Sequence, residues 1–493
     1  MSISLPLRLH VPGRSSSSAP AHPGGRAAEK TPRDLRHLVF PVLAVGAVFQ
    51  AIMQTVMVPL LPSMPEFTGA GPTAVSWLVT STLLVGAVMT PIFGRLADMI
   101  GKKRMLLIAF SLMTLGSIVC ASTSDIGLLI LARGLQGAGA AVLPIGMAVL
   151  REVLPRDRVD RSIAVLSSTL GIGTAIGIPF AAAIVQFADW HLLFWITAAI
   201  GAGVALAAWF VIPESRTRTG GRFDTVGAAG LSAALVCLLV PITQGSTWGW
   251  TSPAVLLTFA ASVVLFALWG VQQLRNRNPL VDLRVSVRRS VLAPHLSALL
   301  VGFAFYGNTL ITTQLLQASS EHGAGYDLTI LQAAACQLAA SVAMMIFAIV
   351  ASRITERFGP KVTIMTGAVF LLAGYCVHAV PAKPLWIVVA AIFVAAIGTS
   401  LVYCTLPVLL LGAVPLSQNA AANGVNVLLR TVGSTVCSAV VASVLAAHTL
   451  GGGLGIGTAG FVMAYLVCAG CAVIVFVSGF ALPSRQAMRP VAE

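Results

Sequence analysis

The chain has 493 residues, of which 57% are hydrophobic and only 9% are charged, and its mean hydropathy is +0.92. Soluble globular proteins carry about 25% charged residues, so most of a surface this poor in charge has to face lipid. The net charge of +14 is spread in small clusters between apolar runs, which argues against a nucleic-acid-binding face and indicates an integral membrane protein.

The apolar runs predict fourteen membrane-spanning helices, because each has about 20 residues, the length that crosses a bilayer. They follow residues 1–36, a Ser-, Pro- and Arg-rich stretch that we interpret as a disordered basic tail. The predicted fold is therefore all-α and integral to the membrane. The predicted spans are 38–62, 73–93, 105–122, 126–150, 162–186, 192–212, 226–244, 253–272, 292–317, 329–351, 363–380, 385–411, 421–446 and 457–480.

Positive charge is concentrated on one side of these spans. All but three of the 30 Lys and Arg residues fall in the two tails and the even-numbered loops. Arg133 and Arg430 lie within spans, which leaves only Lys383 for the other side. The positive-inside rule then predicts that both termini are cytoplasmic, in a multi-pass protein of the cytoplasmic (inner) cell membrane.

A charged sequence recurs at an offset of 258 residues. Residues 94–103 read GRLADMIGKK between the second and third spans, and residues 352–361 read SRITERFGPK between the tenth and eleventh. Two six-helix halves with two extra helices between them explain this offset, and repeated halves are typical of transporters. We therefore expect a cytoplasmic tail (1–36), a six-helix bundle (37–213), two inserted helices with linkers (214–291), a second six-helix bundle (292–480) and a cytoplasmic tail (481–493).

Four stretches carry a resemblance to the major facilitator superfamily. Residues 94–103 resemble its loop motif between helices 2 and 3, and residues 129–139 (LILARGLQGAG) resemble its helix-4 arginine motif. Residues 171–179 (GIGTAIGIP) resemble the helix-5 motif that marks antiporters, and residues 221–224 (GRFD) before the seventh span resemble the fourteen-helix drug:proton antiporter branch. This resemblance, over about residues 38–480, implies a multidrug-efflux-like transporter that exports small amphiphilic compounds by alternating access, coupled to proton influx.

The resemblance also implies a gate at the two charged loops. Gly94 and Gly101 permit a tight turn, and Asp98 is placed to accept from N–H groups at a helix start or to pair with a nearby cation. Positive-inside charge alone explains the lysines, but not an acid between two glycines or its repeat at Glu356. The predicted gating residues are Gly94, Asp98, Gly101, Lys102, Lys103, Glu356, Gly359 and Lys361.

Two arginines within spans are candidates for substrate binding or coupling. An Arg at a helix centre costs about 2.5–3.5 kcal/mol on insertion scales, so each has to face the bundle interior or a wet cavity. For Arg133 the resemblance implies a functional role, and a structural hydrogen bond to neighbouring carbonyls stays open. Arg430 ends a polar stripe that either binds substrate or joins two helices. The candidate set is Arg133, Gln136, Gln54, Asn426 and Arg430.

The fifth span carries the residues of the antiporter motif. Gly173 and Gly177, at i and i+4, permit close approach of another backbone, and Pro179 is expected to bend the helix. The family form has Gly directly before Pro, whereas Ile178 intervenes here, so the motif is partial.

Further polar residues within spans predict, as a set, a mostly apolar cavity with scattered hydrogen-bonding groups. They are Gln50, Gln54, Tyr306, Asn308, Thr312, Thr313, Gln314, Gln332, Gln337 and Tyr403. None of the sixteen acidic residues falls in the middle of a span. A dedicated dication site is therefore not expected, and the substrate is predicted to be a neutral, weakly cationic or anionic amphiphile.

The missing intramembrane acid leaves the coupling open, so an uncoupled or differently coupled metabolite facilitator is the alternative function. A membrane-embedded enzyme is a remote alternative, because no histidine pairs with a nearby acid in a recognisable motif. The eight cysteines all lie in apolar runs and are interpreted as buried hydrophobes, not as a metal or disulfide site. We expect no cofactor and no nucleic-acid partner, and a monomer that meets a small-molecule substrate, lipid and protons.

Overall fold

A computed structural model describes residues 37–57, 60, 63–215, 218, 223–276, 279–281, 283–286, 289–320, 325–413, 419–448 and 456–482. The predicted tail 1–36 lies outside the described residues, as do residues 483–493 and Gly221 and Arg222 of the run before the seventh helix.

The described residues form fourteen long helical segments, one for each predicted span, and the predicted all-α membrane fold is confirmed. Thirteen are long and apolar enough to cross a bilayer, and the first is shorter. They are α1 (Val39–Thr55), α2 (Pro72–Ile100), α3 (Lys102–Ser122), α4 (Ile126–Gly137 and Val142–Val153, joined by a 3-10 turn at Ala138–Ala141), α5 (Arg156–Phe187), α6 (Trp190–Val211), α7 (Thr225–Trp248), α8 (Pro253–Arg275), α9 (Arg289–Gln317), α10 (Ile330–Phe358), α11 (Pro360–Ala379), α12 (Leu385–Ala413), α13 (Asn419–Ala447) and α14 (Thr458–Gly479).

The charged loop predicted at residues 94–103 is a helical hairpin, and its reversal is much tighter than the sequence indicated. Helix α2 continues through Gly94, which is buried within it, and the chain reverses at the single residue Gly101, with φ +116°. A tight turn at Gly94 was the wrong expectation. Gly359, with φ +90°, makes the same junction between α10 and α11. Both glycines have a positive φ that L side chains rarely adopt, which is the physical reason for glycine at both copies.

Each half of the chain has a hydrophobic core of its own. Helices α1 to α6 bury one large cluster, with Phe49, Phe110 and Phe194 among its largest side chains. Helices α9, α11, α12, α13 and α14 bury a second one, which includes Tyr375 and Tyr465. These cores fit two bundles, and the exact bounds of the bundles remain a prediction.

The halves meet mainly along two helix pairs, α5 with α10 and α2 with α13. Gly171 of α5 lies against Met344 of α10, and Gly424 of α13 lies against Thr90 and Pro91 of α2. Small residues at these points let the backbones approach closely, as in other membrane helix pairs.

The two inserted helices lie beside this seam. Helix α7 packs against both α2 and α13, and α8 packs on α7 with most of its surface facing outward. Asp224 caps the start of α7 by accepting from Gly227 N at 2.8 Å, and it also accepts from Gln273 Nε2 of α8 at 2.7 Å. Asp224, the acid of the GRFD run, therefore links α7 to α8.

Candidate functional site: a cavity between the two halves

A cavity of about 480 Å³ lies between the two halves of the chain. Its wall comes from α1, α2, α4 and α5 on one side and from α9, α10, α12 and α13 on the other. The lining residues are Gln50, Gln54, Thr55, Val79, Leu83, Ala140, Leu143, Ile178, Phe305, Tyr306, Thr309, Leu310, Thr313, Gln314, Gln317, Ala334, Gln337, Tyr403, Val427, Arg430, Thr431 and Ser434.

The cavity extends toward the helix ends that are remote from Gly101 and Gly359. Thr55 is the last residue of α1 and Gln317 is the last residue of α9, and both line the wall. On the hairpin side, by contrast, Gly424 of α13 meets the backbone of α2 at Thr90 and Pro91. The two halves are therefore in contact on the hairpin side and apart on the opposite side.

Most of the polar residues predicted to line a cavity are on its wall, including Gln54 from the candidate set. Three are elsewhere. Thr312 Oγ1 lies 2.8 Å from Tyr465 OH inside the second bundle, Gln332 forms a capping box with Thr329 at the start of α10, and Asn308 is buried outside the lining. Spacing along one helix does not show which face meets the cavity, so these three could not be separated from the others by sequence.

Among the described residues that line the cavity, Arg430 is the one that is charged. Its side chain is buried, with 3% of the residue exposed, and its guanidinium carbon lies 4.0 Å from the centre of the Tyr403 ring. Among the described residues, its Nε and Nη1 have no hydrogen-bond partner. A cation–π contact of this kind contributes about 2 kcal/mol when desolvated, but it satisfies no N–H group.

Asn426 lies one turn before Arg430 on α13 and is fully buried. It is not on the cavity wall, and within the described structure neither amide atom has a hydrogen-bond partner. The predicted polar stripe therefore exists, but only its last member reaches the cavity.

Arg133 faces the interior of the first bundle, one of the two places that its charge allowed. It is 1% exposed in the core of the first bundle and does not line the cavity. Its Nε donates to Leu78 O at 3.2 Å, and its Nη1 donates to Met53 O at 3.0 Å and to Gln136 Oε1 at 2.6 Å. Met53 is in the last turn of α1, where carbonyls lack a partner within the helix, so Arg133 helps to cap α1.

The same junction extends to α3, because Gln136 Nε2 donates to Ser117 Oγ at 3.1 Å. Thr82 adds a bond from α2 to the carbonyl of Arg133 at 3.1 Å. Four helices thus meet at one guanidinium and one amide. This is the hydrogen-bonding alternative that the sequence left open, and a coupling role for Arg133 and Gln136 stays a prediction. Ser117 and Thr82 were not foreseen, because a lone hydroxyl in an apolar helix carries no pattern.

The charged residues near Gly101 form a buried cluster. Lys102 Nζ lies 2.5 Å from Glu152 Oε1 and 3.7 Å from Asp98 Oδ1, and Asp98 is 1% exposed. The backbone N–H of Lys102 donates to Ser215 Oγ at 2.7 Å. Asp98 therefore pairs with a cation, which is one of the two roles expected for it.

Helix dipoles disfavour every charge in this cluster. Asp98 and Glu152 lie in the last turns of α2 and α4, where negative charge is unfavourable, and Lys102 is the first residue of α3, where positive charge is unfavourable. The three charges are therefore stabilised by one another, and separating them exposes an unfavourable arrangement. Sequence reasoning missed Glu152, although its position at the end of a span, like that of Asp98, was a usable signal.

The second copy of the loop does not repeat this cluster. Glu356 is exposed, and Pro360 occupies the position that Lys102 has in the first copy. Glu356 therefore lacks the buried surroundings of Asp98, and its predicted gating role stays a prediction. What repeats is the next position, where Lys103 lies 5.9 Å from the Trp209 ring and Lys361 lies 5.5 Å from the Phe480 ring.

The glycines of the fifth helix face α1. A Cβ placed on Gly173 would overlap Ala51 and lie 2.8 Å from Val48 O, and one placed on Gly177 would lie 2.5 Å from Thr55 Oγ1. Both positions therefore keep α5 close to α1. Pro179 lies within α5, which continues to Phe187, and the bend expected there stays a prediction.

Cys468 and Cys471 stand in the CxxC spacing, which our interpretation of the cysteines passed over. Both lie on the membrane helix α14, and Cys468 is fully buried beside Gly307. In the described part of the chain, no group of three or more His, Cys, Asp or Glu residues is arranged to hold a metal ion.

Comparison with known proteins gives the class that this fold and cavity define. Residues 43–438 match the family model of the Major Facilitator Superfamily, and the chain belongs to that family. It is 29% identical over 394 residues to the multidrug resistance protein Stp of Mycobacterium tuberculosis, covering 78% of this chain and 72% of that protein. It is 27% identical over 435 residues to a probable actinorhodin transporter of Streptomyces coelicolor, covering 85% and 74%.

The solved structure of the human organic anion transporter MFSD10 (TETRAN) has the same fold, with a TM-score of 0.65 over 91% of this chain and all of that one, at 14% sequence identity. The chain is therefore a multi-pass membrane transporter and not an enzyme, and its relatives place it in the cell inner membrane. A small-molecule substrate and the lipid bilayer follow as its partners.

Proposed function

We propose that this protein exports small amphiphilic molecules across the cytoplasmic membrane by alternating access, coupled to proton influx. The cavity between the two halves carries the proposal. Its volume of about 480 Å³ is in the range of small-molecule sites, and its wall combines apolar side chains with a few amides and hydroxyls. The names of the relatives, a multidrug resistance protein and a probable actinorhodin transporter, support a small organic substrate.

The direction of the cavity supports an outward-facing state. The positive-inside rule puts both termini and the hairpin side in the cytoplasm, and the cavity extends toward the opposite helix ends. The cluster of Asp98, Lys102 and Glu152 would then act as a latch on the closed cytoplasmic side. Separating these charges costs energy, so opening inward requires a compensating gain from bound substrate or from a proton.

Within the proposal, Arg430 and Gln54 contact the substrate, and Arg133 and Gln136 hold the first bundle together around the moving helices. Gly173 and Gly177 keep α5 packed on α1 while the two halves move relative to each other at the contact between α5 and α10. The gating residues of the second copy, Gly359 and Lys361, would position α11 against the end of α14, where Lys361 Nζ donates to Phe480 O at 3.4 Å.

One observation favours an alternative form of coupling. Among the described residues that line the cavity there is no Asp, Glu or His, so this part of the wall offers no carboxylate or imidazole to carry a proton. An uncoupled or potential-driven facilitator of the same fold is therefore the second candidate.

Reconstituted full-length protein tests the proposal. Proteoliposomes are loaded with a neutral, a cationic and an acidic amphiphile of similar size, and flux is measured under an imposed pH gradient and, separately, under a potassium diffusion potential. Flux that saturates and rises with the pH gradient is the expected result. Flux that ignores the pH gradient removes the antiport assignment, and absence of flux of all three compounds overturns the exporter.

A further inference from the structure

We propose that Arg430 and Tyr403 form a binding site for the acidic group of an anionic amphiphile, such as a carboxylate or a sulfonate. The inference rests on the proposed export function and names the class of substrate. It also identifies the membrane potential as a force that drives this export.

Arg430 has hydrogen-bond donors that no residue of the described structure uses and that a ligand could use. Two of its N–H-bearing nitrogens, Nε and Nη1, are buried with no hydrogen-bond partner among the described residues. A guanidinium presents its donors in a planar fork, and each of its two edges, Nε with Nη2 and Nη1 with Nη2, matches the two oxygens of a carboxylate or sulfonate. The ring of Tyr403 at 4.0 Å holds the guanidinium carbon in place, so little side-chain freedom remains to be lost on binding.

The charge on the cavity wall is uncompensated. Among the described lining residues, every other one is neutral. The Arg430 guanidinium contacts the uncharged ring of Tyr403, and its backbone packs against Gly302 of α9 and accepts from Ser434 Oγ at 3.1 Å. A buried cation without a counterion is costly, and an anion in the cavity offsets that cost. A cation in the same place would be repelled, so the wall discriminates by sign.

The contrast with Arg133 shows that this is not the usual way for the protein to bury an arginine. The Arg133 guanidinium makes three hydrogen bonds, to Leu78 O, Met53 O and Gln136 Oε1, and stays away from the cavity. The Arg430 guanidinium reaches the cavity and leaves two donor atoms unused. Arg133 therefore uses its donors within the protein, whereas Arg430 requires a ligand to satisfy its donors.

The rest of the cavity fits the apolar part of such a molecule. Phe305, Tyr306 and Leu310 line the wall on α9, and the amides of Gln50 and Gln54 face them from α1. These groups accept an aromatic body with polar substituents. The lining residues that the structure describes include no acid that could exchange a proton for the substrate, whereas an inside-negative potential by itself drives a monoanion outward.

Matched pairs of compounds test the charge requirement. Binding of naphthalene-2-sulfonate and naphthalene-2-sulfonamide, and of 2-naphthoate and 2-naphthamide, is measured by calorimetry on the full-length protein in lipid nanodiscs. Each pair has nearly the same shape and differs by one negative charge. We expect the wild-type protein to bind each acid at least tenfold more tightly than its amide.

Three variants locate the effect. Arg430→Gln should reduce acid affinity tenfold or more and leave amide affinity unchanged, and Tyr403→Leu should weaken acid binding by a smaller factor, with Tyr403→Phe restoring it. Arg275→Gln is the matched control, since it removes one positive charge from the exposed end of α8, far from the cavity. In proteoliposomes, outward sulfonate flux through the wild-type protein should rise with an inside-negative potassium diffusion potential at equal pH.

The comparison of acid with amide on the wild-type protein does not depend on whether a variant folds. Equal binding of both members of a pair, failure of either acid to bind, or an acid preference that persists in Arg430→Gln would each overturn the inference. Export of neutral or cationic amphiphiles by a protein that shows no acid preference would leave the proposed exporter standing and remove only the anion site.

Discussion

Replacing Arg133 with alanine should weaken the first bundle measurably. The substitution removes the hydrogen bonds to Met53 O, Leu78 O and Gln136 Oε1. Side-chain hydrogen bonds between membrane helices contribute about 0.6 kcal/mol on average and at most about 1.7 kcal/mol. Two of the three bonds, those to Met53 O and Leu78 O, join helices, so their loss amounts to about 1–3 kcal/mol of unfolding free energy. Gln136→Leu should lose a smaller part, because it breaks the bonds to Arg133 and Ser117 and leaves the two carbonyl bonds intact.

Equilibrium unfolding in mixed detergent micelles, followed by circular dichroism while the fraction of dodecyl sulfate is raised, measures this loss. Arg275→Ala is the control for removing an exposed arginine, and its effect should stay within about 0.5 kcal/mol of the wild type. Arg133→Lys should fall between the wild type and alanine, since an ammonium keeps the charge but not the planar fork. An alanine variant as stable as the wild type that has lost transport would refute the junction and return Arg133 to a role in coupling.

Three further outcomes follow from the geometry. Lys102→Gln should slow transport tenfold or more, because the buried Asp98 and the partly buried Glu152 lose their common cation; Arg104→Gln, at an exposed position of the same helix start, should change the rate little, and equal effects would contradict the latch. Gly173→Ala should lower the yield of folded protein, because the added methyl collides with the backbone of α1; Gly203→Ala, which meets nothing within 4 Å, should not, and a full yield of the first variant would show that the helix pair can separate without cost. Desolvation lowers the pKa of the Lys383 amine to about 8, so a membrane-impermeant amine reagent should label Lys383 in intact cells at pH 8 and several-fold less at pH 7, where the amine is protonated. Peptide mass spectrometry would detect this, and labelling of the hairpin lysines instead would reverse the predicted orientation.

The membrane helices were predictable because their signal is local. Apolar runs of about 20 residues, separated by charge, correspond one for one to the described helices α1 to α14. The ends were less predictable. Helix α2 runs seven residues past its predicted end, to Ile100, because charged residues at the membrane surface continue a helix as readily as they end it. Only Gly101, with its positive φ, forces the reversal.

The cavity was predictable only as a set of residue types. Glutamines, threonines and tyrosines in apolar helices indicated a polar-spotted cavity, and Gln54, Gln337 and Tyr403 are on its wall. Thr312 is not, because its hydroxyl pairs with Tyr465 from another helix. The partner across the bundle decides such cases, and no spacing within one helix reveals it.

The sequence by itself determined that this is a fourteen-helix membrane protein with a repeated charged loop, because length, hydropathy and motif spacing are properties of single segments. Only the tertiary structure decided what the two intramembrane arginines do. Both pay the same cost of leaving water, and both had to face inward. Arg133 meets three acceptors from α1, α2 and its own helix, whereas Arg430 meets an aromatic ring and an open cavity. That difference depends on which helices are neighbours, which packing alone establishes.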